Sequence, residues 1–346
     1  MNKWLAKGID IAVENFISYK LKRSKIMRQT KPRLDNPEQL WEKHSEKLNS
    51  QDSLPSEVII EKLATLRWGE CYQIKFSSRI ETEFPENNHV HGRLFTPLTS
   101  SLANRPALVL LPGWLSFSYY PYQQICAAFA TQGFNCLVLA LPYHLERTPE
   151  QCFSGEAMLT PDLPHSFTAI CQALIDTQQA ISWLFSQKAS SVGIMGISLG
   201  GYLAALLSSY EPRLSYSILW APATALLKLL RQSRICSPLR CRLYTSDLHR
   251  KEIFYFLETI DEKIPATPPR SKEHVLFIQG IHDRIIRPRW TERWAQKWEN
   301  PPLIYCPHGH ISGLFDRQLA NQIVCFARRC LHTQTAVSPL WGQNPE

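Results

Sequence analysis

Gly196-Ile197-Ser198-Leu199-Gly200 follows the apolar run Val192 to Met195 and opens a small-residue, leucine-rich segment. That context predicts a strand, a sharp turn and a helix. A serine at the tip of such a turn sits in strained backbone with its hydroxyl pointing away from the protein, and the flanking glycines belong where a Cβ would collide with neighbouring backbone. Gly-x-Ser-x-Gly by itself arises by chance in ordinary turns; between a strand and a helix it is a far stronger signal.

The rest of the chain supplies the matching pattern. Strand-like segments fall at Glu70 to Phe76, Val90 to Phe95, Ala107 to Leu111, Cys136 to Leu141, Ser191 to Met195, Ser215 to Trp220, Val275 to Gln279 and Leu303 to Cys306. Helical spacing lies between the later ones, at Tyr122 to Gln132, Phe167 to Gln187, Gly201 to Ser209, Thr291 to Glu299 and Gln318 to Leu331. Apolar strands alternating with helices imply an α/β fold with a mostly parallel central sheet and helices on both faces. The roughly fifty residues from Trp220 to Val275 are too many for a loop. Helical patches at Ala225 to Leu230 and Lys251 to Leu257 make this stretch a helical cap, at about 222–272, closed by Ile264-Pro265-Ala266-Thr267-Pro268-Pro269. The expected organisation is a connector and helix over 1–56, one α/β domain over 57–332 carrying the cap, and a tail over 333–346.

Bulk properties narrow the function. The apolar fraction of 44% describes a folded body, and no run approaches the roughly 18 apolar residues of a membrane-spanning helix. Ten cysteines are scattered without Cys-x-x-Cys pairs or zinc spacing, so neither a metal site nor a disulfide scaffold is expected. With no leader-like apolar stretch at the start, the expectation is a reducing, cytoplasmic setting. The net charge of +8 is concentrated in two places. Residues 1–33 carry nine Lys and Arg against Asp10 and Glu14, and residues 225–251 carry seven against Asp247. The remainder is net acidic, which argues against a nucleic-acid-binding body.

Within the first basic segment, Trp4, Leu5, Ile9, Ala12, Val13, Phe16 and Ile17 recur at helical spacing, with Lys3, Lys7, Asp10, Glu14 and Lys20 mostly on the other side. This amphipathic helix either packs its apolar face on the domain with the charged face in solvent, or lies in an anionic membrane interface through residues 1–33.

Four motifs in order make the chain resemble the α/β-hydrolase superfamily over approximately Glu57 to Leu331. The first is the Ser198 turn. The second, Leu111-Pro112-Gly113-Trp114-Leu115, follows an early strand. The third, Gly280-Ile281-His282-Asp283-Arg284, follows a late one, and the fourth, Cys306-Pro307-His308-Gly309-His310, follows the last. The resemblance implies Ser198 as nucleophile, His310 as its base and Asp283 as the carboxylate that orients the base. His308 and Asp316 are the competitors for the last two roles. It also implies an oxyanion hole made by the main-chain N–H groups of Leu199 and Trp114. Many relatives have His-Gly where this chain has Pro112-Gly113, which leaves open how that turn is braced. The loops leaving the same sheet edge offer Tyr119, Tyr143 and His144 as pocket residues, and Arg147 as a loop brace. The chemistry implied is hydrolysis of a small-molecule or lipid carboxylic ester through an acyl-enzyme, with no metal or organic cofactor. An amidase or peptidase using the same triad, or a non-catalytic binding protein of this fold, are the alternatives.

Overall fold

The computed structural model describes residues 3–49, 53–98, 102–223, 225–263 and 270–335. The expected Pro-rich closure at 264–269 and the tail beyond 335 lie outside them.

The chain opens with three helices, α1 (Lys3–Arg23), α2 (Lys25–Gln29) and α3 (Pro37–Asn49). Among the described residues nine strands then build one sheet: β1 (Ile59–Leu66), β2 (Gly69–Ser77), β3 (His89–Thr96), β4 (Pro106–Leu111), β5 (Asn135–Leu139), β6 (Ser191–Ile197), β7 (Leu214–Trp220), β8 (Val275–Gly280) and β9 (Leu303–Cys306). Their spatial order is β1-β2-β3-β5-β4-β6-β7-β8-β9. The first three strands and the β3–β5 pairing are antiparallel, and every pairing from β5 through β9 is parallel.

The strands from β4 to β8 are almost wholly buried, which is why they read as continuous apolar runs rather than alternating ones. Helices α4 (Gln123–Ala130), α5 (Leu163–Ser186), α6 (Leu199–Ser208), α10 (Pro288–Lys297) and α11 (Arg317–Thr335) cover the sheet. α4 packs with α11 on one face, and α3, α5 and α6 pack together on the other. The start of α5 shows how the sequence sets an end: Asp162 accepts the His165 N–H at 2.9 Å, and Pro164 occupies the first turn, where no donor is needed.

Among the described residues the helices α7 (Leu226–Gln232), α8 (Ser237–Tyr244) and α9 (Arg250–Glu262) are inserted between β7 and β8. α1 and α2 pack against α8; the Ser18 and Ser237 hydroxyls are 3.2 Å apart and Arg242 donates to the Thr30 carbonyl at 3.2 Å. The two basic segments of the sequence therefore meet in space.

The helix at the start corrects one expectation. α1 packs on the body, but through Ala6, Asp10, Glu14, Ile17 and Leu21. Trp4, Leu5, Phe16 and Tyr19 stand exposed. Of the residues expected to form a solvated charged side, Asp10 and Glu14 are buried with Ala6, Ile17 and Leu21, whereas Lys3 and Lys20 stay exposed.

Candidate active site

β6 and α6 meet at Ser198, whose backbone has φ 57° and ψ −115°. A non-glycine residue in such a conformation costs about 1–3 kcal/mol and persists only where its surroundings hold it. They do: the Ser198 N–H donates to the Trp220 carbonyl at 2.9 Å, and its own carbonyl accepts from Ala223 and Tyr202 at 2.9 Å and 3.0 Å. The flanking glycines are required by close approach. A Cβ on Gly196 would stand 2.0 Å from the Gly200 carbonyl oxygen, and one on Gly200 would stand 2.1 Å from that of Leu111.

His310 lies in the loop after β9, and its Nδ1 is 2.7 Å from Asp283 Oδ2. Asp283 sits in the turn after β8, where its other oxygen accepts the N–H groups of Ile285 and Ile286 at 2.9 Å and 2.8 Å. Both side chains are buried. Burial disfavours the imidazolium, but the charge and hydrogen bond of Asp283, followed by the charges of Asp10 and Glu14, outweigh it and raise the His310 pKa above its ordinary value. With Nδ1 engaged, Nε2 is the nitrogen left to act.

The competing pair is occupied elsewhere. His308 Nε2 lies 2.6 Å from Asp316 Oδ2, and Asp316 Oδ1 caps α11 by accepting the N–H groups of Gln318 and Leu319. His308 and Asp316 thus anchor a helix start.

Around the turn after β4, the amide N–H groups on either side of Trp114 are taken. Gly113 donates to the Tyr122 hydroxyl at 3.3 Å and Leu115 donates to His144 Nε2 at 3.0 Å. The indole of Trp114 donates to the Gly155 carbonyl at 2.9 Å. Among the described residues the main-chain N–H groups of Trp114 and Leu199 have no acceptor. His144 braces the turn at Pro112-Gly113; its Nδ1 donates to the Pro142 carbonyl at 2.8 Å, and burial pushes its pKa down to about 4.

Ser198, Leu199, Trp114 and His310 border one apolar cavity. Its walls are aliphatic and aromatic: Phe167 and Ile170 from α5, Leu230 and Leu243 from the insertion, Phe256 and Ile260 from α9, with Val13 and Ile17 of α1. Tyr119, Tyr143 and His144 are not on this wall. Tyr119 donates to Glu146 at 2.8 Å beneath the Arg93 guanidinium, Tyr143 packs against Phe84 and His165, and His144 is the brace just described. Arg147 is a buried brace, 2.8 Å from Asp176 and donating to the Ala140 and Asn87 carbonyls.

Sequence reasoning missed Asp10 and Glu14. Both are buried, and Asp10 accepts main-chain N–H groups from His310 and Arg284. The available signal was their isolation: they are the only acidic residues in a strongly basic segment, spaced one helical turn apart.

Comparison with known proteins agrees with this architecture. A family model described as alpha/beta hydrolase domain containing 18 matches residues 33–227, a stretch that holds Trp114, Ser198 and Leu199. An uncharacterized protein of Mycobacterium tuberculosis is 30% identical over 198 residues, covering 56% of this chain and 45% of the relative. The chain thus spans about half the length of the curated relatives it matches. Among solved structures, acetyl xylan esterase 1 from Thermoanaerobacterium sp. aligns with a TM-score of 0.60 at 18% identity, over 90% of this chain and 98% of its own. An acetyl xylan esterase from Paenibacillus sp. R4 aligns with a TM-score of 0.63 at 16% identity, over 88% and 98%. These likenesses show a shared fold.

Proposed function

The chain belongs to the alpha/beta hydrolase domain containing 18 family, and from that premise we propose that it is a serine hydrolase of carboxylic esters. The observation that carries the reading is the convergence of a strained serine and a carboxylate-bound imidazole on one apolar cavity. Ser198 Oγ attacks the ester carbonyl carbon as His310 Nε2 takes the hydroxyl proton, and Asp283 stabilises the resulting imidazolium. The carbonyl electron pair moves to oxygen, where the N–H groups of Leu199 and Trp114 receive it. Collapse expels the alcohol, which leaves with the proton from His310. Water then repeats the sequence on the acyl-enzyme, with His310 as base, and the carboxylic acid departs.

The walls support an apolar acyl chain as the group bound. Phe167, Leu230, Leu243 and Phe256 offer no charged partner for a sugar or peptide, and burying each methylene of an acyl chain contributes about 0.8 kcal/mol. The surroundings support an amphiphilic or lipid ester. Trp4, Leu5 and Phe16 of α1 are exposed beside Lys3, Lys20, Lys22 and Arg23, and the basic insertion lies against the same helix. Each basic residue near an anionic surface contributes about 1 kcal/mol, so peripheral contact with an anionic membrane follows from this patch. Among the described residues no helix is long and apolar enough to cross a membrane.

A fluorophosphonate probe at neutral pH tests the reaction class: labelling of the intact protein, lost in Ser198→Ala, is the expected result. Absence of labelling favours a binding protein of this fold. p-Nitrophenyl esters of rising chain length, set against the matching anilides, separate esterase from amidase. For the membrane contact, cosedimentation with phosphatidylserine-containing vesicles is expected to drop in Trp4→Ser/Phe16→Ser.

A further inference from the structure

Asp10 and Glu14 lie one turn apart on α1, at 0% and 3% exposure. The Asp10 carboxylate accepts the His310 main-chain N–H on both oxygens, at 2.9 Å and 3.0 Å, and Oδ2 also accepts the Arg284 N–H at 3.2 Å. Those two amides come from different loops, one after β9 bearing His310 and one after β8 bearing Asp283. A single carboxylate from a third element therefore ties both loops together.

The neighbouring sequence is shaped to admit it. A Cβ on Gly309 would stand 2.6 Å from Asp10 Oδ1 and 2.7 Å from Oδ2. Gly309 is thus the space in which the Asp10 carboxylate sits. Isolated buried carboxylates are costly, and burial together with the charge of Asp283 does push the Asp10 pKa up, against the two amide bonds. Keeping such a group in place needs a compensating role.

Resting on the serine-hydrolase reading above, we propose that Asp10 is a positioning residue for the His310 base. Its carboxylate clamps the base loop to the acid turn, and its charge supports the imidazolium formed when Ser198 gives up its proton. The charged groups facing His310 are Asp283 from the acid turn and Asp10 and Glu14 from α1. Those facing Asp10 are Asp283, His310 and Arg284, and those facing Glu14 are Arg284, Arg234, Asp10 and Asp283. Asp10 reaches the imidazole from outside the Ser-His-Asp line, so it acts through His310 and not on substrate.

The test uses the full chain with p-nitrophenyl butyrate across pH, together with NMR titration of the His310 ring. Asp10→Asn keeps the shape and an acceptor oxygen while removing the charge; Asp10→Ala removes both. For Asn, kcat is expected to fall about tenfold with KM within about twofold, and the acid limb of kcat/KM and the ring titration both move down by about one pH unit. For Ala, misplacement of the base loop is expected to cost kcat about a hundredfold. Should the Ala variant not fold, the Asn variant decides. Variants that lose Tm but keep the acid limb and ring titration at the wild-type pH overturn the proposal and leave Asp10 a helix-docking residue. A wild-type protein that neither turns over ester nor takes the fluorophosphonate at Ser198 overturns the serine-hydrolase reading and this proposal with it, whereas an active wild type with an unmoved limb overturns this proposal alone.

Discussion

Lowering the pH is expected to loosen the turn that carries Trp114 through one residue, His144. Its side chain is buried, with Nε2 accepting the Leu115 N–H at 3.0 Å and Nδ1 donating to the Pro142 carbonyl at 2.8 Å. Protonation at Nε2 would set two donors against each other in a site closed to water. Burial accordingly pushes the pKa down to about 4, with the Pro142 bond opposing and the charge of Arg147 assisting. In the unfolded chain the same group titrates near 6.5. The unfolded state therefore binds the proton first, so the stabilisation is complete above about pH 6.5 and is lost as the pH falls toward 4. Between pH 7 and about pH 4.5 this one group withdraws roughly 2 kcal/mol, a sizeable part of a typical domain's 5–15 kcal/mol. His144→Gln offers a carboxamide that can accept from Leu115 without titrating. Urea unfolding followed by tryptophan fluorescence at the two pH values gives the comparison: wild type is expected to lose roughly 2 kcal/mol more than the variant. Equal losses in the two proteins would refute the assignment of His144 as a neutral, hydrogen-bond-accepting brace.

His310→Ala is expected to reduce ester turnover by about a thousandfold or more, whereas His308→Ala keeps turnover within a few-fold and lowers Tm, since it removes only the bond to Asp316; steady-state kinetics and a thermal melt on both variants decide. Gly200→Ala drives a methyl to 2.1 Å from the Leu111 carbonyl oxygen and 2.4 Å from that of Pro112; the fluorophosphonate labelling rate at Ser198 is expected to fall by about tenfold or more, because backbone on both sides must shift. Leu243→Trp, at a fully buried position on the cavity wall, is expected to slow p-nitrophenyl octanoate hydrolysis by about tenfold while sparing the acetate, as read from the chain-length profile.

Most of the sheet was legible because its environment is uniform. Strands β4 to β8 lie between helices, so their residues are mostly apolar, and each is a short, largely hydrophobic run with turn residues around it. β1 was not legible for the opposite reason. It is an edge strand with nearly every side chain exposed, it is broken by a register shift between Lys62 and Ala64, and nothing imposes alternation on it. At the site, the Ser198 turn was legible from its two glycines, because the close approach they permit is a local property of the chain. The distribution of roles between His308 and His310 was less so. Two residues apart in sequence, they are separated by partners that only the fold supplies, Asp316 for one and Asp283 for the other. Tyr119, Tyr143 and His144 leave the expected edge of the sheet, yet their side chains turn to Glu146, to Phe84 and to the Leu115 amide. A position at a sheet edge does not fix a side chain's direction.

α1 shows where periodicity fails as a guide to burial. Reading apolar residues as the inward face assumes that the surface receiving the helix is itself apolar. Here part of the receiving surface is a pair of loops that present main-chain N–H groups at Arg284 and His310, and a buried donor left without an acceptor costs about 1–3 kcal/mol. Turning Asp10 toward those donors satisfies both, and Val13 and Ile17 on the adjoining stripe still reach the apolar cavity. Trp4, Leu5 and Phe16 are then left outward by geometry, since they lie more than about a third of a turn around the helix from Asp10. One rotation of α1 thus produces both features on which the functional reading draws: a carboxylate against the base loop, and an exposed aromatic and basic surface facing away from it.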